Sequence, residues 1–512
     1  MIGLLSIDIG TTNWKVMVFD DQGTVIASVK TPAVISMDRN SLRCYNPKII
    51  WRNIVNLIRQ IGESYSLSNI KAISVTSMGE SIVPIDVNGK ELCDIIPWFD
   101  VRSMDEAENI KTILGADRIF SITGLEAGAI FSLPKMLWMR KHNPEIFART
   151  TKWLQMADYI NYKLTGKIKT DFTLASRTLA FDINTNSWST EILKALNVDV
   201  SVLPDIVASG SIMGQVTDGA ASATGLLAGT PVIMGGHDHA IATISANIFD
   251  GNTILDSSGT AEPLLYVSPP NTPILMNNIG QRIGRHPDPS RYILWGGIVS
   301  SGICVEWSVE RLALCKEWGY DVPAIKFNEL LSSCKHIPCG SDGLLFMPYL
   351  RGSGTPHWDP RMKGAFLGLT SSHGSMHMMR AVLEGLSYQV KMIVNMHEKL
   401  SGTEIKSICC VGGGSKIALW QQIKADVTGK IIKTKNNDEA TCQGAAILSS
   451  VGIGLFENLE QGAKKFAKDG EIFIPNVDNA GIYDKMYQVF TESYRDLERI
   501  CYRLDRVSRK DI

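Results

Sequence analysis

The chain has 512 residues with 51 Lys+Arg against 52 Asp+Glu, a formal net charge of -1. That length predicts two domains, and the even charge excludes a dedicated nucleic-acid binder, whose phosphate contacts call for a concentrated excess of Lys and Arg. A hydrophobic content of 45% with 20% charged residues describes a chain able to bury a large core and excludes a disordered one.

The opening MIGLLSIDIGTTNWK carries no basic leader before its apolar stretch and meets Asp8 early, so it does not read as a secretory signal. No uninterrupted apolar run reaches the roughly 18 residues of a membrane span. A cytoplasmic protein with no membrane partner is expected. Ten cysteines spread along a long chain, with Cys409 and Cys410 adjacent, do not form the dense framework of a small secreted fold and are expected to be reduced. Cys334 and Cys339 flank His336, but no second Cys/His pair stands at ligand spacing, so no zinc site is expected there.

Two hydrophobic periods alternate along the chain, pointing to an α/β protein. Leu4 to Ile7 reads as a buried strand, Asp8 to Asn13 as a polar turn and Lys15 to Asp20 as a returning strand. Thr24 to Val29, after Asp21-Gln22-Gly23, completes a β-meander. Asn46 then offers an N-cap and Pro47 a first helical residue. The apolar positions Ile50, Ile54, Leu57 and Ile58 recur at helical spacing until Gly62 offers a stop. The opening is echoed near the midpoint. Ile7-Asp8-Ile9-Gly10-Thr11-Thr12 resembles Leu255-Asp256-Ser257-Ser258-Gly259-Thr260, 248 residues later (256 minus 8), and an apolar strand, Pro263 to Val267, follows the second copy. A boundary near residues 245 to 250 makes each hairpin open a domain, giving domains of 1–247 and 248–512.

Gly-Thr hairpins suit phosphate, because glycine lets the backbone approach closely while turn N–H groups and the Thr hydroxyl donate to phosphate oxygens. Two such hairpins facing each other grip a nucleotide from both sides of a cleft. Asp8 beside the first would repel phosphate without a divalent cation, which suggests Mg²⁺ held through water. Pro231 to Gly236 reads as a strand running into His237-Asp238-His239. Asp238 there takes the place of a catalytic group where a strand meets a loop. The three residues also suggest a metal site, but neighbours at this spacing rarely converge on one ion. A base at Asp238 is therefore favoured, with the histidines packing or positioning substrate. Ile408 to Lys416 gives a strand and a Gly412-Gly413-Gly414-Ser415 loop before a helix carrying Trp420, Ile423 and Val427 on one face. Such a loop brings backbone against a ligand at a helix N-terminus. It lacks the glycine patterns of dinucleotide and Walker loops.

In chain order these pieces resemble the FGGY carbohydrate kinases, of the superfamily that also holds actin, hexokinase and the Hsp70 ATPase. DIGTTNWK (Asp8 to Lys15) is similar to the family's first phosphate motif, SSGTA (Ser257 to Ala261) to its second, and GGGSKIALWQQIKADVTG (Gly412 to Gly429) to its C-terminal signature, followed by Glu439-Ala440 and Gly444-Ala445-Ala446. Between them lie Trp98-x-Asp100-x-Arg102, Ser132 to Trp138, Thr170 to Arg177 and YLRGSGTPHWDP (Tyr349 to Pro360). The resemblance implies two actin-like (ribonuclease H-like) α/β domains around a central cleft, sugar mostly on the first and ATP mostly on the second. It implies Asp238 as general base, ATP and Mg²⁺ as cofactors, and Asp8 and Asp238 at the metal. Gly10, Thr11, Thr12, Lys15, Ser258, Gly259, Thr260, Gly302, Glu306 and Gly412 to Ser415 (Gly413 and Gly414 included) then fall at the nucleotide.

Substrate identity is where the resemblance thins. The xylulokinase sugar loop carries Gln-Met-His, whereas the aligned stretch here is Thr76-Ser77-Met78-Gly79-Glu80-Ser81. Glycerol kinases carry Arg-Glu, sharing Glu80 but not Gly79. Met78, Gly79, Glu80, Trp98, Asp100, Arg102, Asp238 and His239 are the expected sugar contacts, Glu80 accepting hydroxyl hydrogen bonds and Trp98 offering a stacking face. In the alternative, Trp98 is core and Arg102 its salt-bridged neighbour. The expected acceptor is a small sugar or polyol: a pentulose such as xylulose first, then glycerol, another alditol, a hexulose or an aldonate. A homodimer is an assembly to test. The reading of a different class is a sugar- and ATP-binding regulator of weak catalysis.

Overall fold

The structure, a computed structural model, describes residues 2–37, 42–276, 280–312, 331–436 and 439–508. The meander forms as expected, with β1 Gly3–Ile9, β2 Asn13–Phe19 and β3 Val25–Pro32 pairing antiparallel in turn. Helix α1, Pro47–Ser64, starts where the cap predicts, Asn46 Oδ1 accepting from the backbone N–H groups of Lys48 and Ile49 at 3.1 Å. Gly62 does not stop it. The helix runs on to Ser64, held by the Tyr65 N–H to Ile61 O bond at 2.9 Å. The apolar stripe of α1, Ile50, Ile54, Leu57 and Ile58, is buried against Leu5, Ile7, Val16 and Val18.

Strands β4 Ile70–Ser77, β5 Ile212–Gln215 and β6 Pro231–His237 complete the first sheet, whose order is β5-β6-β4-β1-β2-β3 with β6, β4 and β1 mutually parallel. Helix α2, Asp238–Ala246, follows β6 directly. The second sheet is assembled from β7 Thr253–Ser257, β8 Glu262–Val267, β9 Arg282–Arg285, β10 Tyr292–Ile298, β11 Ser407–Val411, β12 Ile431–Lys435 and β13 Asp469–Phe473. Its order is β9-β10-β8-β7-β11-β12-β13. Helices α3 Ser301–Leu312, α4 Ser375–Ser401, α5 Ala418–Thr428, α6 Ala440–Gly452 and α7 Val477–Ser508 belong to this half of the chain.

The sheets repeat a plan. β1 pairs antiparallel with β2 and parallel with β4, as β7 pairs antiparallel with β8 and parallel with β11. The midpoint echo therefore marks a real duplication of topology, and the fold is a two-domain α/β one.

Two helices tie the halves together. α2 places Ala240, Ala242 and Ala246 against Leu255, Leu265 and Val411 of the second sheet, while α6 lays Ala445, Ala446 and Ile447 on Leu4, Met17 and Phe19 of the first. Small residues set the approach. A Cβ at Gly444 would stand 2.2 Å from the carbonyl oxygen of Ile241, so α2 and α6 cross only because that position is glycine. Burying Ile241 and Ile244 there stabilises the junction by about 1.5–3 kcal/mol each. No helix of the described residues is long and apolar enough to cross a membrane.

Candidate active site

Both Gly-Thr turns lie at strand ends that meet at this junction. In the first, β1 and β2 place Asp8 opposite Lys15, and the turn closes with Gly10 N–H donating to Asn13 O at 3.1 Å. Lys15 is ion-paired with Glu439, which caps α6. Asp8 is 8% exposed and its Oδ1 is buried without a hydrogen-bond partner. Burial, then the Asp238 carboxylate, push the Asp8 carboxyl up to about 8 against the pull of Lys15. Thr11 does not present its hydroxyl to solvent alone: its Oγ1 accepts from Trp98 Nε1 at 2.9 Å. Thr12 is exposed.

The second turn is more rigid. Gly302 N–H donates to Gly259 O at 3.1 Å and Gly414 N–H to Ser258 O at 3.1 Å, so the first turn of α3 and the Gly412 loop both clamp it. A Cβ at Gly302 would stand 2.4 Å from Gly259 O. Gly302 thus packs on the hairpin, with Glu306 exposed one turn further along α3. Ser258 corrects the expectation. Its side chain is turned inward, Oγ donating to Asp256 Oδ1 at 2.9 Å or Glu262 Oε1 at 3.0 Å and accepting from Lys424 Nζ at 2.9 Å, so it offers a nucleotide only backbone. Lys424 is ion-paired with both Asp256 and Glu262, and all three are fully buried. Gly412 has φ +86° and Ser415 Oγ donates back to Gly412 O at 2.7 Å. Gly413 and Gly414 begin a short 3₁₀ turn before α5, whose Trp420, Ile423 and Val427 are buried as expected. Thr260 is exposed beside Gly259.

Asp238 is the first residue of α2, at a strand-to-helix corner with no intervening loop. Its Oδ1 accepts from His239 N–H at 2.7 Å and lies 3.1 Å from His237 Nδ1. Burial raises the Asp238 carboxyl above its ordinary range, and burial drives His237 well below its own, leaving a neutral imidazole. The expectation that these neighbours diverge is overturned: one ligand atom from each of His237, Asp238 and His239 falls within 4.8 Å of the others. The corner makes this happen, because the chain passes from extended backbone at His237 straight into the helix that begins at Asp238. Two imidazoles with one carboxylate suit softer ions than Mg²⁺. The unpartnered oxygen of Asp8 beside Asp238 and Glu439 supplies the hard oxygen donors that Mg²⁺ takes.

A cavity of about 100 Å³ joins these parts, lined by Asp8, Lys15, His239, Ser257, Gly412 and Glu439. It takes residues from both hairpins. Ligand pockets run from about 300 Å³ upward, so the cavity is smaller than a nucleotide site in this conformation.

On the first half's side of Asp238, Glu80 sits after β4 with φ 63° and 5% exposure. It accepts from Arg177 Nε at 2.7 Å and is ion-paired with Arg177 Nη2. Gly79 is required beside it, since a Cβ would meet the His237 ring at 2.7 Å. Met78 is 3% exposed, with its side chain packed within the first core. Asp100 and Arg102 are also turned on each other, through Nε to Oδ1 at 2.9 Å and Nη2 to Oδ2 at 2.8 Å, with Arg102 over the Trp138 ring. Trp98 is half-buried at the first hairpin.

Sequence reasoning assigned no role to Arg177, Lys135, Lys424 or Glu439. Lys135 is fully buried and donates to the carbonyls of Glu80 at 3.1 Å and Ile130 at 2.7 Å, and burial pushes it down to about 7.

Family models agree with this architecture. The N-terminal domain of the FGGY family of carbohydrate kinases matches residues 3–245 and its C-terminal domain residues 257–453. The chain belongs to the FGGY family of carbohydrate kinases. As a member it is an ATP-dependent sugar kinase. It is 30% identical over 499 residues to a xylulose kinase of Staphylococcus epidermidis, covering 97% of each chain, and 29% identical over 478 residues to an L-fuculokinase of Escherichia coli, covering 93% of this chain and 98% of that one. Crystal structures of a xylulose kinase and of a gluconate kinase from Lactobacillus acidophilus each superpose with a TM-score of 0.88 at 25% identity, over 97% of this chain and 98% of theirs. Arg177 and Glu439 are residues whose partners, Glu80 and Lys15, lie too far along the chain for local pattern to find.

Proposed function

We propose that the protein transfers the γ-phosphoryl group of ATP to a hydroxyl of a ketose, a pentulose first, with Asp238 as general base. The observation that carries this is the cavity itself, where Asp8 and Lys15 of the first hairpin face Ser257 of the second and Gly412 of the glycine loop, with the Asp238 carboxylate close enough to act on Asp8. A buried carboxylate with a raised pKa is poised to take the acceptor proton as the hydroxyl attacks in line. The His239 N–H holds its Oδ1 in place. Lys15 and the turn N–H groups of Gly10 to Thr12 and Gly259 to Thr260 oppose phosphate charge, and the Gly412 to Ser415 loop flanks the adenosine. Asp8 and Asp238 would hold Mg²⁺ through water, which supplies charge neutralisation at the phosphates. Glu80, oriented by Arg177, accepts acceptor hydroxyls through its remaining oxygen. Residues 1–247 then carry acceptor and base and 248–512 the nucleotide, and closing the halves excludes water.

A second acceptor class, the aldonates, is favoured by one observation. Arg177 Nη1 is buried without a hydrogen-bond partner, and Arg282, over the rings of Trp358 and Phe131, has no ion pair among the described residues. Two guanidiniums against Glu80 leave room for a carboxylate, and a gluconate kinase shares the fold.

The test is ADP release over pentuloses, hexuloses, alditols and aldonates with Asp238→Asn as control. The variant should lose about 10²- to 10⁴-fold in kcat. Full turnover by the variant removes the base assignment, and ADP release that no acceptor raises favours a regulator.

A further inference from the structure

The corner between β6 and α2 gathers more ligating atoms than a general base needs. His237 Nδ1 lies 3.1 Å from Asp238 Oδ1, and the His237 and His239 rings meet edge to face with centroids 5.3 Å apart. Nδ1 and Oδ1 both accept from one donor, the His239 N–H, at 3.3 Å and 2.7 Å. No other donor reaches either atom among the described residues. Two lone pairs thus share a single proton, where a cation would satisfy both.

The spacing fits such a cation. On an ion with bonds of about 2.0–2.2 Å, ligands at tetrahedral angles stand about 3.3–3.6 Å apart. The Nδ1 to Oδ1 edge is close to that separation, and the three residues each bring a ligand atom within 4.8 Å of the others. His239, whose side chain lines the cavity, completes the set by turning its ring. Asp8 and Glu80 add negative charge near Asp238, with Arg177 opposing them.

We propose that His237, Asp238 and His239 bind a divalent transition-metal ion of the Zn²⁺ class, and that this ion inhibits the kinase by occupying Asp238. The donor set selects the ion. Two imidazoles and one carboxylate with an open fourth position are the ligands of a catalytic zinc centre, and imidazole suits Zn²⁺ and its first-row neighbours. Mg²⁺ takes an octahedron of oxygens, so the nucleotide's cation leaves the imidazoles unused. The inhibition rests on the reading of Asp238 as base: a coordinated carboxylate no longer offers its lone pair to the acceptor proton, and the ion stands where the hydroxyl would come. The binding does not rest on that reading.

The test starts from the full chain freed of metal by a chelator, without nucleotide, Mg²⁺ or acceptor. Co²⁺ should bind at one equivalent with visible ligand-field absorption and no thiolate charge-transfer band, and Zn²⁺ should displace it. His239→Ala should raise the Co²⁺ Kd at least about tenfold, the least that losing even an outer-shell partner costs. His377→Ala, in the His373 and His377 pair at the start of α4, should leave binding unchanged. With Mg²⁺ and ATP saturating, buffered free Zn²⁺ should inhibit ADP release competitively with the best acceptor of the panel above. His239→Ala should then need at least about ten times more Zn²⁺. No Co²⁺ site, a thiolate band, or a Kd that His239→Ala leaves unchanged overturns the site. Binding without inhibition, or inhibition that the acceptor does not relieve, overturns the inhibitory role. Full turnover by Asp238→Asn would remove the base assignment alone, because the substrate-free titration still decides the site.

Discussion

Glu262 lets the second hairpin be tested without touching the reaction. Burial, then the nearby Asp256, push its carboxyl from an ordinary 4.5 up to about 7, against the pull of Lys424. A folded-state pKa above the unfolded one means that the folded protein holds this proton more tightly. Stability from the group is therefore fully present below 4.5 and is lost as pH rises towards 7. At about 1.36 kcal/mol for each pH unit the loss is about 3 kcal/mol. Glu262→Gln keeps the shape and an acceptor for Lys424 while removing the titration, so the variant should lack this loss. Urea unfolding of both proteins at several values from pH 5 to pH 8 reads it directly. The wild type should lose about 3 kcal/mol relative to the variant across that range, wherever the two curves start. Parallel curves would show that Lys424 neutralises both carboxylates, and would refute the reasoning.

Three further substitutions probe neighbouring parts. Lys424→Met strands two buried carboxylates and should cost about 3–5 kcal/mol at pH 7, partly recovered in acid as they take up protons; urea unfolding measures it. Lys15→Met breaks an ion pair whose side chains are 22% and 28% exposed. It should change stability by under about 1 kcal/mol while raising KM for ATP about tenfold, the loss of one charge-assisted contact, in steady-state kinetics. Gly79→Ala drives a methyl to 2.7 Å from the His237 ring. Since His237 abuts Asp238, kcat should fall about tenfold or more, a misplacement effect, with KM for ATP unchanged.

The legible features were those whose signal is local. The hairpins announce themselves because Gly-Thr interrupts apolar runs, and Asp238 because a strand ends on it. Asn46-Pro47 fixed the start of α1 because a cap is a matter of adjacent residues. Lys424 was illegible, since inside QQIKADV it looks like a polar position on an amphipathic helix. Its burial depends on Asp256 and Glu262, 168 and 162 residues away. Arg177 is hidden in the same way from Glu80, 97 residues back. Met78 and Ser258 sat in the right strings but point inward, a direction that motif matching does not carry. Asp100 and Arg102 had their answer in their spacing, because a carboxylate two residues before an arginine can close a local fork.

The duplicated plan sharpens the assignment of the cation site. Asp8 and Asp256 occupy equivalent places, each near the end of the strand that enters a Gly-Thr turn, so the fold offers two candidate carboxylates for the proposed cation. Only one is available. Asp256 is locked by Lys424, Ser258 and the Cys410 thiol at 3.4 Å, which commits both of its oxygens and fixes the second turn as a rigid clamp. Asp8 keeps a buried oxygen with no partner; its nearest cation, Lys15, is held across the junction by Glu439 instead. Leaving a carboxylate oxygen buried and unpaired costs stability, and the equivalent position shows that the fold can avoid that cost with one lysine. The first hairpin does without such a lysine and keeps Asp8 able to ligate, while the second spends its aspartate on rigidity. The two halves share a topology and differ in how they commit this aspartate, and the asymmetry supports the proposal that Mg²⁺ is held on the Asp8 side of the cleft, near Asp238.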